Sequence, residues 1–268
     1  MIRQPYVAGY FYPKDPDELK AMIQKMVPPK ASKHKAKCII SPHAGYIYSG
    51  NVAGSVFSST QLPDNFVLLG PSHVYMDSRI AIMKHGSWQT PLGDVPINEE
   101  LAEFIARESD SVSEEEAAHK KEHSLEVQLP FLQFYKKNFQ IVPICVSYDA
   151  DYQDLQELGK AVAKGIKQME KDTLIIASTD MSHQETQEVA QRKDQKAFYQ
   201  ILDLNAQKLV QVVKKENISM CGFQPTAAAI IAALELGATK ATLVKYQTSG
   251  DVTGDFDQVV GYAGIRIN

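Results

Sequence analysis

Short runs of apolar residues recur along the chain and are typical of buried strands. The segments with this pattern are residues 37–41, 65–70, 79–83, 139–146, 172–178, 240–247 and 258–267. In the first five the apolar residues follow one another instead of alternating with polar ones, as in strands covered on both faces in a mostly parallel sheet. These segments therefore predict a sheet whose strands lie inside the protein.

Patterns of helical periodicity lie between the predicted strands. In residues 151–171 the apolar side chains fall on one stripe, and residues 225–237 are apolar on nearly every side, as in a buried helix. Residues 122–137 are also amphipathic, although Pro130 should kink or divide a helix there. Residues 185–215 are expected to contain one or two helices.

The alternation of strands and helices indicates the fold class. It favours an α/β protein with three α/β/α layers and a mostly parallel or mixed central sheet. The length of 268 residues allows one large domain or two small ones, and a single domain over residues 1–268 is the simpler interpretation. Residues 28–37, which are basic and begin with prolines, and residues 86–96 are the expected loops.

The composition excludes some partners and indicates a compartment. The formal net charge is -4 and the isoelectric point is about 6.0, so the chain lacks the basic balance with which proteins usually bind nucleic acid. No apolar run is long and charge-free enough to span a membrane, and the first residues do not resemble a signal peptide. The 3 cysteines are too few and too far apart for a disulfide framework. These features predict a cytoplasmic protein that binds neither nucleic acid nor a membrane.

Three histidines follow predicted strands by a few residues. They are His43, His73 and His183, and each stands beside small residues that let the backbone turn sharply. Ligands of open α/β sheets bind at the carboxyl ends of the strands, so we expect these side chains to meet at one edge of the sheet. The alternative is that each is an ordinary hydrogen-bonded residue of a loop.

Cys221 differs from the other two cysteines in its surroundings. Cys38 and Cys145 lie within apolar strand segments and are expected to be buried and inert. Cys221 lies instead in a turn just before the predicted buried helix, where the positive end of the helix dipole should lower the thiol pKa. It is therefore a candidate metal ligand, and the alternative is a small buried apolar residue.

Further polar residues stand near the histidines in sequence. Asp180 precedes His183 by three residues, and a carboxylate at hydrogen-bond distance would fix the imidazole tautomer and raise its basicity. His123 follows Glu122 in a pattern that differs from the HExxH motif of zinc proteases. It either orients a substrate, supports a metal ligand from behind, or belongs to a charged helix start. We therefore take His183, Asp180 and His123 as candidate catalytic residues.

Several motifs in a fixed order resemble a known family. They are RQPYVAGYFYP (residues 3–13), PHAGYIYSG (42–50), GPSH (70–73), EHSLEVQLPFL (122–132), STDMSH (178–183) and MCG (220–222). By these motifs the chain resembles the Memo-like family, whose bacterial and archaeal members are often called AmmeMemoRadiSam system protein B. The resemblance covers essentially the whole chain. It implies a fold similar to that of LigB-type extradiol dioxygenases, which are non-haem iron enzymes that cleave catechol rings.

The resemblance also implies a metal site. It places metal ligands at His43, His73 and Cys221, and a further active-site histidine at His183. Ring-cleaving dioxygenases bind iron through two histidines and a carboxylate, whereas a cysteine stands at the third position here. A thiolate is a softer ligand. Iron or copper is therefore the expected divalent metal, with zinc as the alternative, and ring cleavage of catechols is expected to be weak or absent.

Three functions are compatible with these residues. The first is a metal-dependent redox or oxygenase-like enzyme in which His183 is the acid or base and Asp180 orients it. The second is a non-catalytic module that binds a peptide or a small molecule in the same cleft. The third is zinc-assisted hydrolysis.

Overall fold

The computed structural model of the protein describes residues 1–28 and 31–268, in which strands and helices alternate along most of the chain. The strands are β1 (Ile2–Arg3), β2 (Cys38–Ser41), β3 (Asn65–Pro71), β4 (Ile80–Ile82), β5 (Ser87–Thr90), β6 (Gly93–Pro96), β7 (Val112–Glu114), β8 (Gln140–Val146), β9 (Thr173–Ser178), β10 (His183–Glu185), β11 (Ala241–Thr248) and β12 (Val259–Ile267). The helices are α1 (Pro16–Met26), α2 (Tyr46–Ser58), α3 (Glu99–Glu108), α4 (Glu116–His119), α5 (Leu129–Tyr135), α6 (Tyr152–Met169), α7 (Gln187–Leu202), α8 (Ala206–Lys215), α9 (Phe223–Glu235) and α10 (Gly250–Thr253). A single 3-10 turn at Glu126–Gln128 leads into α5.

The larger sheet of the described residues is mixed, with a parallel centre. Its order is β10–β12–β2–β9–β3–β8–β4–β7, and β11 pairs with β12 beside this path. The four central strands, β2, β9, β3 and β8, are parallel to one another, whereas β12 and β4 flank them in the antiparallel direction. The prediction of a mostly parallel or mixed sheet is confirmed.

Helices cover the sheet in two layers. α9 packs against the four central strands, and α6 and α8 pack against α9. α2 packs against β2, β11 and β12, and α1 and α5 lie against α2. This arrangement is the three-layer α/β/α fold that the alternation of strands and helices predicts.

The strongly patterned helices occur where the sequence predicts them. Residues 151–171 contain α6, whose first turn is closed by a capping box, and residues 225–237 contain most of α9. Pro130 stands in the first turn of α5, so it begins this helix instead of kinking it. Residues 185–215 form two helices, α7 and α8. Within the described residues, no helix combines the length and the apolar character needed to cross a lipid bilayer.

The loop predictions have mixed outcomes. The prediction for residues 86–96 is wrong, because β5 and β6 pair there as a hairpin and β1 adds to β5 as a third strand. Trp88 is fully buried and pairs with Val95 across the hairpin, so apolar burial outweighs the turn residues of this segment. In the predicted loop 28–37, residues 29 and 30 lie outside the described residues. Residues 31–37 contain only an isolated bridge.

The strand order brings three chain segments together at one edge. His43 follows β2, His73 follows β3 and Asp180 follows β9, and these strands are neighbours in the order β2–β9–β3. Because they are parallel, their carboxyl ends lie at the same edge of the sheet. A similarity to the LigB-type fold and the assignment of the whole chain to one domain stay predictions.

Candidate metal centre

Three imidazoles meet at the carboxyl edge of the central strands. They belong to His43, His73 and His123, and one ligand atom from each lies within 4.8 Å of the others. The ring centroids of His73 and His123 are 4.5 Å apart, and those of His43 and His73 are 5.2 Å apart. Imidazole nitrogens grouped in this way suit a transition-metal ion such as zinc, copper or iron.

His73 is held by the carboxylate of Glu122, which is fully buried. His73 Nδ1 lies 2.9 Å from Glu122 Oε1, and the backbone N–H of His73 donates to Glu122 Oε2. Burial alone would raise the pKa of Glu122, but the hydrogen bonds and charge of His73 bring it to about 2. An ionised carboxylate only accepts, so the proton must sit on Nδ1 of His73 and leave Nε2 as the ligand atom.

His43 is held in the same tautomer by a hydroxyl group. Its Nδ1 lies 2.9 Å from Ser178 Oγ, at the end of β9. This hydroxyl donates to the Ser124 carbonyl at 2.7 Å and accepts from the Gln128 side-chain amide at 2.9 Å. Because a hydroxyl has one hydrogen, which Ser124 takes, His43 Nδ1 must donate to Ser178 and Nε2 carries the lone pair. Burial, together with the neighbouring histidines, holds the pKa of His43 well below its ordinary value, so the ring is neutral.

His123 stands in the segment between α4 and the 3-10 turn. Its ring packs at 4.8 Å against Phe11 and faces His73. Burial lowers the pKa of His123 to about 4, although the charge of Glu122 opposes this change. The structure therefore places a neutral His123 within the group of imidazoles, where the sequence suggests only a supporting or substrate-orienting residue.

Cys221 approaches His43 from the side of the α9 N-terminus. Its Sγ lies 3.2 Å from His43 Nε2, and the backbone N–H of Asp180 donates to it at 3.3 Å. This close approach needs Gly222, because a Cβ there would lie 2.4 Å from the carbonyl oxygen of Ser178. Burial and the Asp180 carboxylate raise the pKa of the Cys221 thiol. This is opposite to the lowering expected from the helix dipole, so a thiolate at this position requires a bound cation.

The spacing of Asp180 and His183 predicts that the carboxylate orients the imidazole, but in the structure the two side chains have other partners. Asp180 Oδ1 accepts the backbone N–H of His43 at 2.8 Å, and its Oδ2 is 4.0 Å from His43 Nε2. His183 is fixed by Ser219, whose carbonyl oxygen lies 2.9 Å from Nδ1 and whose hydroxyl accepts the His183 backbone N–H at 2.7 Å. Since a carbonyl only accepts, Nδ1 of His183 is protonated and Nε2 is free.

A cavity of about 640 Å³ opens in front of this group. All three imidazoles, Asp180 and His183 line it. The other aromatic and polar lining residues are Tyr10, Phe11, Tyr48, Ser249, Thr253, Asp255, Gln258 and Tyr262. The described lining residues include neither lysine nor arginine. Cys221 lines a separate cavity of about 270 Å³, so it lies between the two cavities and touches His43.

Sequence reasoning places His43, His73, His183 and Asp180 at this cavity but assigns no role to the residues that hold the rings. Glu122 is visible in the sequence only as an acid next to His123. Ser178 is the last residue of β9, so a search of strand ends for polar residues would find it. The metal-ligand set His43, His73 and Cys221 stays a prediction. The compact group of possible ligands in the structure contains His123 in place of Cys221.

Sequence comparison with known proteins identifies the family of the chain. The sequence profile of the family described as Memo-like protein matches residues 3–266. A MEMO1 family protein of Methanopyrus kandleri is 42% identical over 279 residues, covering 99% of this chain and 98% of that protein. A MEMO1 family protein of Aquifex aeolicus is 42% identical over 267 residues, with 98% of both chains covered. The match over nearly the whole length and these identities show that the chain belongs to the Memo-like protein family.

Proposed function

We propose that this protein binds one iron or copper ion at the imidazole group and acts as a redox or oxygenase-like enzyme on a small molecule. The observation that carries the proposal is the grouping of three imidazoles within 4.8 Å on the wall of a cavity of about 640 Å³. A thiol 3.2 Å from His43 Nε2 adds a soft donor beside them. Iron or copper bound there would supply electron-transfer chemistry to the ligand in the cavity.

The hydrogen bonds at Nδ1 of His43 and His73 leave the Nε2 atoms of both rings as the metal donors. Each ring donates its Nδ1 hydrogen to a protein acceptor. His43 is neutral and offers its Nε2 lone pair directly. Although burial opposes it, the hydrogen bond and charge of Glu122 raise the pKa of His73, so a metal ion would displace the Nε2 proton of its charged form. His123 or Cys221 would complete the set. The resemblance to the Memo-like family favours Cys221, and the spacing of the imidazoles favours His123.

His183 is the residue best suited to move a proton. It lines the cavity, and its Nδ1 is committed to the Ser219 carbonyl. Nε2 is therefore the atom that takes a proton from a bound molecule or returns it. Asp180 contributes differently, because it holds the backbone of His43 in place and adds negative charge to the cavity wall.

Two other functions have support of their own. The aromatic walls formed by Tyr10, Phe11, Tyr48 and Tyr262 would suit a module that binds a peptide or small ligand without chemistry. Three imidazoles beside an open cavity also form the ligand set of catalytic zinc sites, which supports zinc-assisted hydrolysis. In each case we propose a cytoplasmic, single-domain protein that binds neither nucleic acid nor a membrane.

Metal analysis of protein purified without a histidine tag separates these functions. We expect about one equivalent of iron or copper, which is lost in His73→Ala and kept in His85→Ala. His85 is a matched control because it lies outside the cavity and pairs with Glu99. Zinc in place of iron and copper would favour hydrolysis. Wild-type protein that takes up none of the three metals would contradict the proposal. It would favour the non-catalytic module that binds a peptide or small ligand.

A further inference from the structure

The first residues of the chain lie against the segment that carries Glu122 and His123. We call residues 3–13 the N-terminal segment and residues 119–126 the histidine loop. Arg3 is almost fully buried, at 4% exposure. Its guanidinium donates from Nε to the His119 carbonyl at 3.0 Å and from Nη2 to the Glu122 carbonyl at 2.7 Å. Arg3 thus binds the histidine loop at its start and in its middle.

Glu126 forms the other half of this connection at the end of the histidine loop. Its carboxylate is fully buried and pairs with Nη1 of Arg3. It also accepts the backbone N–H groups of Tyr6 at 2.8 Å and Val7 at 3.0 Å, and the hydroxyl of Tyr12 at 2.6 Å. One carboxylate therefore ties the histidine loop to four positions of the N-terminal segment, more than 110 residues away in sequence.

The N-terminal segment and the histidine loop also contact the group of imidazoles. Phe11, in the N-terminal segment, packs its ring 4.8 Å from the ring of His123. Tyr10 and Phe11 both line the cavity. Within the histidine loop, Glu122 holds His73 through Nδ1. The positions of His123 and of the Glu122 carboxylate therefore depend on where Arg3 and Glu126 hold the backbone.

A buried ion pair is a costly way to join two segments, because desolvation of both charges offsets much of their attraction. Apolar packing would join them at lower cost, but with less definite positions. The many directed hydrogen bonds of Arg3 and Glu126 instead fix the backbone at particular atoms. This is the behaviour expected of residues that set the geometry of a site.

We propose that Arg3 and Glu126 are positioning residues of the metal centre. They fix His123 in the imidazole group and Glu122 behind His73, and they hold the N-terminal segment as one wall of the cavity. The effect on metal affinity rests on the proposed function, whereas the effect on the imidazoles does not.

Two measurements on one set of variants test this proposal. The variants are Arg3→Met, Glu126→Gln and, as a matched control, Arg266→Met. Arg266 is also buried and donates to the Ser59 carbonyl, but it pairs in register with β2 at Ile39, near the start of that strand. The first measurement is Zn²⁺ affinity by competition with a chromophoric chelator. The second is the ¹⁵N spectrum of the imidazoles in metal-free protein, which reports the tautomer of each ring.

We expect Arg3→Met and Glu126→Gln to weaken Zn²⁺ binding by about 10- to 100-fold, as changes behind metal ligands usually do. The ¹⁵N signals of His73 and His123 should shift with them. Arg266→Met should lower the thermal midpoint and leave both readouts unchanged. If Arg3→Met does not fold, Tyr12→Phe removes a single hydrogen bond to Glu126 and should give a smaller loss in the same direction.

Folded Arg3→Met or Glu126→Gln protein with wild-type Zn²⁺ affinity and unchanged imidazole signals would overturn the proposal. Equal losses of affinity in Arg266→Met would also overturn it, because the effect would then be general destabilisation. Wild-type protein that binds no metal would contradict the proposed function alone. The ¹⁵N spectra of the metal-free variants would still decide whether Arg3 and Glu126 position the two rings.

Discussion

Two histidine–cysteine contacts among the described residues are of nearly equal length but lie in very different surroundings. Cys221 Sγ lies 3.2 Å from His43 Nε2 at the cavity, and Cys145 Sγ lies 3.3 Å from His119 Nδ1 in the core. The first pair stands next to His73 and His123. The second is sealed from solvent, and no group of described residues suited to a metal includes it.

The difference between the pairs lies in access and in neighbouring donors. Trp88 is the aromatic neighbour of His119, with its ring centroid 5.8 Å away. Burial lowers the pKa of His119 to about 4 and raises the pKa of Cys145 well above its ordinary value. The core pair is thus a neutral imidazole beside a neutral thiol, and Nε2 of His119 is buried without a hydrogen-bond partner among the described residues. A short distance between two good ligands therefore does not make a metal site without further donors and a path for the ion.

The largest expected difference between the pairs is in metal affinity. Replacing His73→Ala removes one imidazole of the group next to His43. If His73 is a ligand, as proposed, this should weaken Zn²⁺ binding by more than about 100-fold, since changes behind a ligand already cost 10- to 100-fold. His119→Gln should leave Zn²⁺ affinity within twofold of wild type. Chelator competition measures both. Similar losses in the two variants would mean that the core pair takes part in metal binding.

The second expected difference is in the pH dependence of stability. Burial lowers the pKa of His119 to about 4 in the folded protein, whereas a histidine in the unfolded chain has a pKa of about 6.5. The unfolded chain therefore binds more protons between these values, and the free energy of unfolding falls as the pH is lowered. Lowering the pH from 7 to 5 should cost about 2 kcal/mol through this residue.

Urea denaturation at several pH values checks this expectation. His119→Gln should have a flatter dependence than wild type, because glutamine does not titrate. An unchanged slope in His119→Gln would show that His119 is not held neutral by burial.

The third and smallest expected difference is between the two cysteines. A serine hydroxyl at neutral pH lacks the charge of a thiolate ligand, so Cys221→Ser should weaken metal binding by about tenfold or more, which is about 1.4 kcal/mol. Its fold should survive, because the change is nearly isosteric. Cys145→Ser should lower the thermal midpoint and leave metal affinity unchanged. Equal metal binding in wild type and Cys221→Ser would remove Cys221 from the site.

The sequence predicts the part of the site that the sheet determines. His43, His73 and His183 follow predicted strands, and the rule that ligands bind at the carboxyl ends of strands brings them to one cavity. For His123 the sequence suggests only a residue that orients a substrate or supports a ligand, because its segment belongs to no predicted strand. That segment is placed by Arg3 and Glu126, whose partners are more than 110 residues away, and such contacts leave no periodic pattern.

Helices and strands can be predicted where their apolar residues form a local pattern. α6 has one apolar stripe and so stands out as a helix. α2 has no such stripe, because it is rich in glycine and serine and is buried on most of its surface. The hairpin of β5 and β6 is short, and the burial of Trp88 rather than a local pattern stabilises it.

A crystal structure of the metal-loaded protein, with diffraction data collected at the absorption edge of the bound metal, tests the central claim most directly. We predict one anomalous peak about 2.0–2.1 Å from nitrogens of His43 and His73, with His123 or Cys221 as a further ligand. No peak should occur between His119 and Cys145. A loaded crystal without a peak at the imidazole group, or with its only peak elsewhere, would contradict the assignment of this cavity as a metal centre.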